Sequence, residues 1–196
     1  MAETYVPLIS SGTAGPLGVL HFPRLWQKVS LKARGKLAEG YPDIGGGYDT
    51  MVLTALGIEP DAVRKFISEN RPAYPQFEAW VKNQNGVKLD KATIDGSNRA
   101  IRGYTHDEKT RKSILGPNNI ADENSVGHGA VDLNNLDDWY EFHQAVLMTD
   151  APKPSTDAET PASTADAATA SAPASAPVAT PAPAAEEQEP APVGVS

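Results

Sequence analysis

The chain has 196 residues, a formal net charge of −8 and no cysteine, which excludes disulfides, thiolate nucleophiles and cysteine-ligated metal centres. The overall acidity disfavours general nucleic-acid binding, which needs a broad basic surface. No segment approaches the roughly 20 apolar residues that span a bilayer, and the acidic start does not match a secretory signal. We therefore expect a cytoplasmic protein that binds neither nucleic acid nor membrane, and no cofactor is indicated.

Charge and composition divide the chain near residue 150. Residues 151–196 contain 15 alanines, 9 prolines and no aromatic residue. Six acidic residues and one lysine give this segment a charge of −5 and leave −3 for the remainder. Such a segment buries too little apolar surface to offset the conformational entropy of folding. We predict an irregular N-terminal arm over 1–17, a helical domain over 18–149 and a disordered Ala/Pro-rich tail over 150–196.

The arm is dense in glycine, serine and proline, which favours irregular structure laid over the domain. The first helix begins near Pro23 and carries an apolar stripe at Leu25, Trp26, Val29, Ala33 and Leu37. Its basic residues occupy the other side, and the pattern predicts an amphipathic helix with a basic outer face formed by Arg24, Lys28, Lys32 and Arg34.

Three short helices follow. The second runs from Tyr48 to Leu56 and ends at Gly57, a typical C-cap residue. Proline suits the first turn of a helix, so Pro60 and Pro75 indicate the starts of the third and fourth. Their expected inner faces are Val63, Phe66 and Ile67 in the third helix, and Phe77, Trp80 and Val81 in the fourth.

Two further helices are predicted from Asp90 to about Tyr104 and from Asp107 to Leu115, followed by an Asn- and Gly-rich loop over 118–129. A last helix runs from an N-cap at Asn134 to about Met148. Its apolar face, expected to dock onto the core, comprises Leu133, Leu136, Trp139, Tyr140, Phe142, Val146 and Leu147. The predicted fold class is all-α: a compact orthogonal multi-helix domain with a disordered C-terminal tail.

Several motifs between residues 18 and 115 resemble a known family. They are Leu-His-Phe-Pro-Arg at 20–24 before a basic helix, Asp49 at the start of a helix ending in Leu-Gly-Ile at 56–58, Phe-Glu-Ala-Trp-Val at 77–81, and Asn98 shortly before Ile101. With these motifs the chain resembles the bacterial domain-of-unknown-function family 5069, whose members are small uncharacterised proteins. The resemblance implies a helical fold and transfers no catalytic residue.

Three consecutive glycines, 45–47, precede the second helix and raise the possibility of a phosphate site, because exposed backbone N–H groups at a helix N-terminus attract anions. No strand precedes them and no Gly-Lys-Ser/Thr follows. Asp49 in the first turn would also repel an anion. The favoured interpretation is an interhelical turn with Asp49 capping the helix.

The histidines do not form a metal-ligand spacing, and no metal is predicted. His143 lies within the apolar face of the last helix, which favours a hydrogen-bonded core residue. The adjacent carboxylate pairs do not converge as paired catalytic acids would. A Ser-His-Asp arrangement stays open, but no Gly-x-Ser-x-Gly elbow is present and a hydrolase is not favoured. No catalytic residue is assigned.

Two functional hypotheses remain. The leading one is a non-enzymatic interaction module that binds a protein or a small anionic ligand through the basic first helix, with the tail as spacer. The alternative is an enzyme or metabolite sensor whose pocket gathers His21, Arg24, Tyr41 and Asp49 near the glycines. Together the candidate ligand-binding residues are His21, Arg24, Lys28, Arg34, Tyr41 and Asp49.

Overall fold

Helices account for most of the chain that the computed structural model describes, namely residues 3–124 and 129–148. Seven α-helices, α1 to α7 in chain order, span Phe22–Lys32, Tyr48–Leu56, Pro60–Asn70, Tyr74–Lys82, Lys91–Gly103, Glu108–Leu115 and Ala130–Phe142. The prediction of a compact, all-helical domain is confirmed over these ranges. The predicted tail, 150–196, lies outside the described residues, as do residues 125–128 of the predicted loop.

Strand-like pairing in the described ranges is limited to two isolated bridges, Tyr5–Leu37 and Ala14–Leu20. A short 3-10 turn covers Asp122–Asn124. None of the helices in the described part combines the length and the apolar character that crossing a bilayer requires.

Most helix boundaries follow local sequence signals. Gly57 ends α2 in the left-handed conformation, with φ 71°, as its C-cap prediction requires. Asp90 and Asp107 are the N-caps of α5 and α6, and their carboxylates accept bonds from the Thr93 and Thr110 amides. These short side-chain bonds satisfy amide groups that the helix itself leaves without partners.

The core surrounds α1, which packs against α2, α3 and α4. The rings of Phe22 and Phe77 lie 5.0 Å apart at its centre. Fully buried side chains from five helices complete the core: Leu25, Val29, Val52, Leu53, Leu56, Val63, Ile67, Val81 and Ile101. The apolar side of α1 therefore packs against three other helices, and the other side of α1 carries polar groups.

The prediction for the last helix is wrong in its start and its buried face. α7 begins at Ala130, with Gly129 as its N-cap, and a π-helical segment, His143–Leu147, continues it. Trp139 is 60% exposed, and the side chain of His143 is also exposed rather than in the core. Leu133 is buried against α6, whereas Asp138, expected outside, is only 3% exposed. The helix is oriented by this carboxylate, which has a buried cationic partner on α1.

The arm and the residues that join it to α1 are held by buried polar side chains of the domain. Asn98 on α5 accepts a bond from the Leu20 amide at 2.9 Å and donates one to the Gly18 carbonyl at 2.7 Å. Glu78 on α4 accepts a bond from the Leu17 amide at 3.2 Å. These bonds satisfy backbone groups that an irregular segment cannot pair internally, and they fix the arm against the helices.

Candidate functional site

A cavity of about 290 Å³ lies between α1, the loop that leads into α2, and α7. Five of the six predicted ligand-binding residues line it: His21, Arg24, Lys28, Tyr41 and Asp49. Residues that were not predicted complete the polar wall: Ser11, Tyr48, Asn134, Asp137 and Asp138. The structure thus brings together residues from the arm, three helices and the loop that leads into α2.

The α1 residues reach the cavity because of their spacing. His21, Arg24 and Lys28 are three and four positions apart, so they lie along one side of the helix. Arg24 is 6% exposed and Lys28 is 5% exposed, which corrects the prediction that they belong to a basic outer face. Carboxylates from α2 and α7 pair with both cations and make their burial possible.

Arg34, the sixth predicted residue, is not part of the site. It follows the end of α1, is exposed, and donates a bond to the Ser68 carbonyl at 3.2 Å. Lys32 is exposed as well. Of the predicted basic outer face, only Lys32 and Arg34 are therefore exposed.

His21 has an unusual backbone and two side-chain partners. It is 3% exposed and has φ 66°, a left-handed conformation that costs a residue other than glycine about 1–3 kcal/mol. Its Nε2 lies 2.8 Å from Asp49 Oδ1 and its Nδ1 lies 3.0 Å from Ser11 Oγ. Burial lowers the pKa of His21, although the bond to Asp49 acts in the opposite direction. The net direction favours the neutral imidazole at pH 7.

Asp49 is the hub of the cationic side of the cavity. Besides the His21 contact, its Oδ2 accepts bonds from Lys28 Nζ at 2.5 Å and from the Gly45 amide at 2.8 Å. Burial alone would raise the pKa of Asp49, but His21 and Lys28 outweigh it and hold the pKa below its ordinary value. Asp49 does not cap α2 as expected, because its carboxylate is directed to these three donors and Gly47 is the N-cap.

The second ion pair of the site joins α1 to α7. Arg24 binds Asp138 through two bonds, Nη1 to Oδ2 at 2.6 Å and Nη2 to Oδ1 at 2.9 Å. The Tyr41 hydroxyl donates to Asp138 Oδ1 at 3.0 Å, and burial together with the Asp138 charge raises the pKa of this phenol. Arg24 also donates to the carbonyls of Pro7 and Ile9, so it fastens the arm beside the cavity.

Asp137 and Asp49 carry carboxyl groups with opposite tendencies in one cavity. Burial raises the pKa of Asp137, and the charge of the adjacent Asp138 raises it further. The pKa of Asp49, in contrast, is lowered. Carboxyl groups whose environments separate their pKa values in this way are typical of functional sites.

The glycine turn borders the cavity without a packing reason for glycine at its centre. A Cβ at Gly46 would meet no atom within 4 Å, and its φ is not positive. Gly45, in contrast, lies close to Pro42 and donates its amide to Asp49. Gly46 borders the cavity, and a methyl group added there would enter open space.

The sequence did not predict Ser11, Tyr48, Asn134, Asp137 and Asp138 as site residues. Asn134, Asp137 and Asp138 share a helical spacing of three and four, so their common face was the one available signal. Ser11 is 1% exposed and lies in an irregular segment, where no periodicity predicts which side chains point inward.

In the described ranges no group of three or more His, Cys, Asp or Glu side chains is placed to hold a metal ion.

Comparison with known proteins identifies no relative: no family model, no curated protein and no solved structure matches the chain significantly. The resemblance to domain-of-unknown-function family 5069 therefore stays a prediction. The fold defines the class of site: a polar cavity with buried ion pairs in a helical domain.

Proposed function

We propose that the chain binds a small polar metabolite with an anionic group in the cavity between α1, the glycine turn and α7. This is the pocket hypothesis formulated from the sequence. The observation that carries it is the convergence of His21, Arg24, Lys28, Tyr41 and Asp49 on one cavity. A cytoplasmic setting is part of the proposal.

Energetics support a role for these groups beyond folding. A buried ion pair is a weak source of stability, because desolvation of both charges offsets most of their attraction. The cavity nevertheless has two, Arg24–Asp138 and Lys28–Asp49, together with a histidine in a strained backbone conformation. Such costs are typical of sites that hold a ligand in a fixed geometry.

The distribution of donors and acceptors indicates the ligand class. Lys28 has three N–H donors, one of which bonds to Asp49, and it borders the cavity beside the glycine turn. Asn134 and Asp137 offer acceptors from α7 on the same cavity. A metabolite with a carboxylate or phosphate toward Lys28 and hydroxyl groups toward α7 would use both sets.

A thermal-shift panel of phosphorylated and carboxylate metabolites tests the proposal on the full chain. A ligand present at 100 times its dissociation constant stabilises the folded state by about 2.7 kcal/mol, so binding raises the melting temperature. A flat response across the panel would contradict the proposal.

Two variants locate the binding. Gly46→Ala should leave the melting temperature of the free protein nearly unchanged, since the methyl group meets no atom, yet weaken binding at least tenfold. Lys28→Met should also weaken binding, whereas Lys32→Met, an exposed lysine one turn further along α1, serves as the matched control. Equal affinity in all three variants would place the ligand elsewhere.

A protein partner remains a second candidate, favoured by the exposure of Lys32, Arg34 and Lys36 at one end of α1 and just beyond it. Exposed cations of this kind suit an acidic protein surface. Co-purification with the full chain and with a Lys32→Ala/Arg34→Ala variant tests it. An identical set of partners with both chains, or none with either, would contradict an interface at this surface.

A further inference from the structure

Three side chains from separate segments form a continuous hydrogen-bonded series at the cavity. Ser11 lies in the arm, His21 precedes α1, and Asp49 is in the first turn of α2. The series runs from Ser11 Oγ to His21 Nδ1 at 3.0 Å, and from His21 Nε2 to Asp49 Oδ1 at 2.8 Å. All three residues border the same cavity. A serine, a histidine and an aspartate in this order are the elements of nucleophilic acyl transfer.

The direction of the protons follows from the partners. Asp49 is ionised and can only accept, so the Nε2 atom of His21 carries the proton that it shares with Asp49. In the neutral imidazole Nδ1 is then an acceptor, and the Ser11 hydroxyl must donate to it. Ser11 is thus hydrogen-bonded to a neutral base, as a serine nucleophile has to be before it attacks.

Asp49 is held so that it can support a transient imidazolium. Its second oxygen is occupied by Lys28 and by the Gly45 amide, which fix the carboxylate while the first oxygen faces the ring. The left-handed backbone of His21 sets the ring between Ser11 and Asp49. The ring is used in the opposite sense from chymotrypsin-like enzymes, in which Nε2 faces the serine.

Resting on the proposed function, we propose that Ser11 is the nucleophile of an esterase-type reaction in this cavity, with His21 as general base and Asp49 as the positioning residue of the imidazole. The substrate class is a small carboxylic ester with an anionic group. Lys28 borders the same cavity and would supply N–H donors for that group or for the developing oxyanion.

The reaction proceeds in two balanced steps. Ser11 Oγ forms a bond to the ester carbonyl carbon as its proton passes to His21 Nδ1. The bond from carbon to the alkoxy oxygen then breaks, and this oxygen leaves as an alcohol with the proton from Nδ1. Water attacks the acyl-serine, gives a proton to Nδ1, and the carbon–Oγ bond breaks as Oγ regains that proton. The net reaction converts ester and water into acid and alcohol.

Diisopropyl fluorophosphate, a small reagent that phosphorylates activated serines with loss of fluoride, tests the proposal on the full chain. Mass spectrometry should find one diisopropylphosphoryl group per chain, located on Ser11. Ser11→Ala should abolish the labelling. Ser10→Ala, a neighbouring serine in the same arm, is the matched control and should keep it. An unlabelled wild-type chain, or equal labelling of Ser11→Ala, would overturn the proposal.

His21→Asn separates catalysis from folding, because asparagine tolerates the left-handed conformation but offers no base. The variant should retain its circular dichroism spectrum and be labelled at least 100-fold more slowly. Labelling at the wild-type rate would remove His21 from the mechanism. A metabolite hit in the thermal-shift panel without labelling would refute Ser11 as the nucleophile and leave the binding proposal intact. Labelling of Ser11 with a flat panel would support the nucleophile and contradict the binding proposal.

Discussion

The first helix and the residues just after it carry basic side chains in two contrasting environments. Arg24 and Lys28 are buried and each has a carboxylate within hydrogen-bonding distance, whereas Lys32 and Arg34 are exposed. All four are of similar length and belong to one short basic segment, so their composition does not separate them. The position of a carboxylate on another element therefore decides whether a cation on a helix is a surface charge or part of a site.

Removing the Arg24 partner should produce the largest effect on stability. Asp138→Asn leaves a nearly fully buried guanidinium without a counter-charge, and we expect the free energy of unfolding to fall by about 3–5 kcal/mol. Urea unfolding of the wild-type and variant chains measures this difference.

Asp137→Asn is the control for that substitution, since it removes a carboxylate from the next residue of α7. The pKa of Asp137 is already raised by burial and by Asp138, so its neutral form is the less costly one. We expect no loss of stability at neutral pH. A loss equal to that of Asp138→Asn would show that the Arg24 pair is not what distinguishes the two residues.

Substitution of Asp49, the buried partner of Lys28, should reduce the free energy of unfolding less than substitution of Asp138. Asp49→Asn removes the charge but keeps one oxygen that can accept a bond, and Lys28 borders a cavity. We therefore expect a loss of about 1–3 kcal/mol in urea unfolding.

A half-exposed ion pair provides the comparison for Asp49. Arg64 Nε lies 2.6 Å from Asp43 Oδ2, and Arg64 is 39% exposed. Asp43→Asn should cost at most about 1 kcal/mol, because water already screens this pair. Similar losses in Asp43→Asn and Asp49→Asn would remove the distinction between buried and exposed pairs.

The helices could be predicted because their signals are local. Pro60 and Pro75 in first turns, Gly57 at a C-cap, and Asp90 and Asp107 at N-caps each act within a few residues of their own position. The orientation of α7 could not be predicted in this way. Asp138 lies 114 residues from Arg24 along the chain, and no periodic pattern reveals a partner at that separation.

The candidate site was predictable in part for the same reason. His21, Arg24 and Asp49 were singled out because they adjoin turns with glycine or proline, where side chains and backbone groups are free to converge. Ser11 was missed because it lies in an irregular arm, whose path is set by distant side chains such as Asn98 and Glu78. The Ser-His-Asp series consequently emerges only in three dimensions.

The burial of His21 also predicts that the stability of the folded chain depends on pH. The pKa of His21 is lowered from its ordinary value of 6.5, mainly by burial. Below pH 6.5 the unfolded chain therefore binds a proton that the folded chain does not. The free energy of unfolding decreases as the pH is lowered, until the pH falls below the pKa of His21 in the folded chain. The groups that face the ring are Asp49, Lys28, Arg24, Tyr48 and Ser11.

Urea unfolding between pH 7 and pH 5 measures this effect. The wild-type chain should lose stability across that interval, and His21→Asn should show a shallower slope. His106→Asn replaces a histidine outside the Ser11–His21–Asp49 series, so it serves as the control and should keep the wild-type slope. Parallel slopes for His21→Asn and the wild-type chain would show that His21 is not buried in its neutral form.

The exposed basic residues at the end of α1 and just beyond it should give the smallest effect on stability. Lys32→Ala/Arg34→Ala removes two cations that have water around them, and Arg34 loses a single bond to the Ser68 carbonyl. We expect the free energy of unfolding to change by no more than about 0.5 kcal/mol. Urea unfolding in low and high salt measures it, and the two curves of the variant should differ from those of the wild type by equally small amounts. A loss approaching that of Asp138→Asn would mean that this end of the helix also depends on paired charges, and the contrast drawn along the helix would no longer hold.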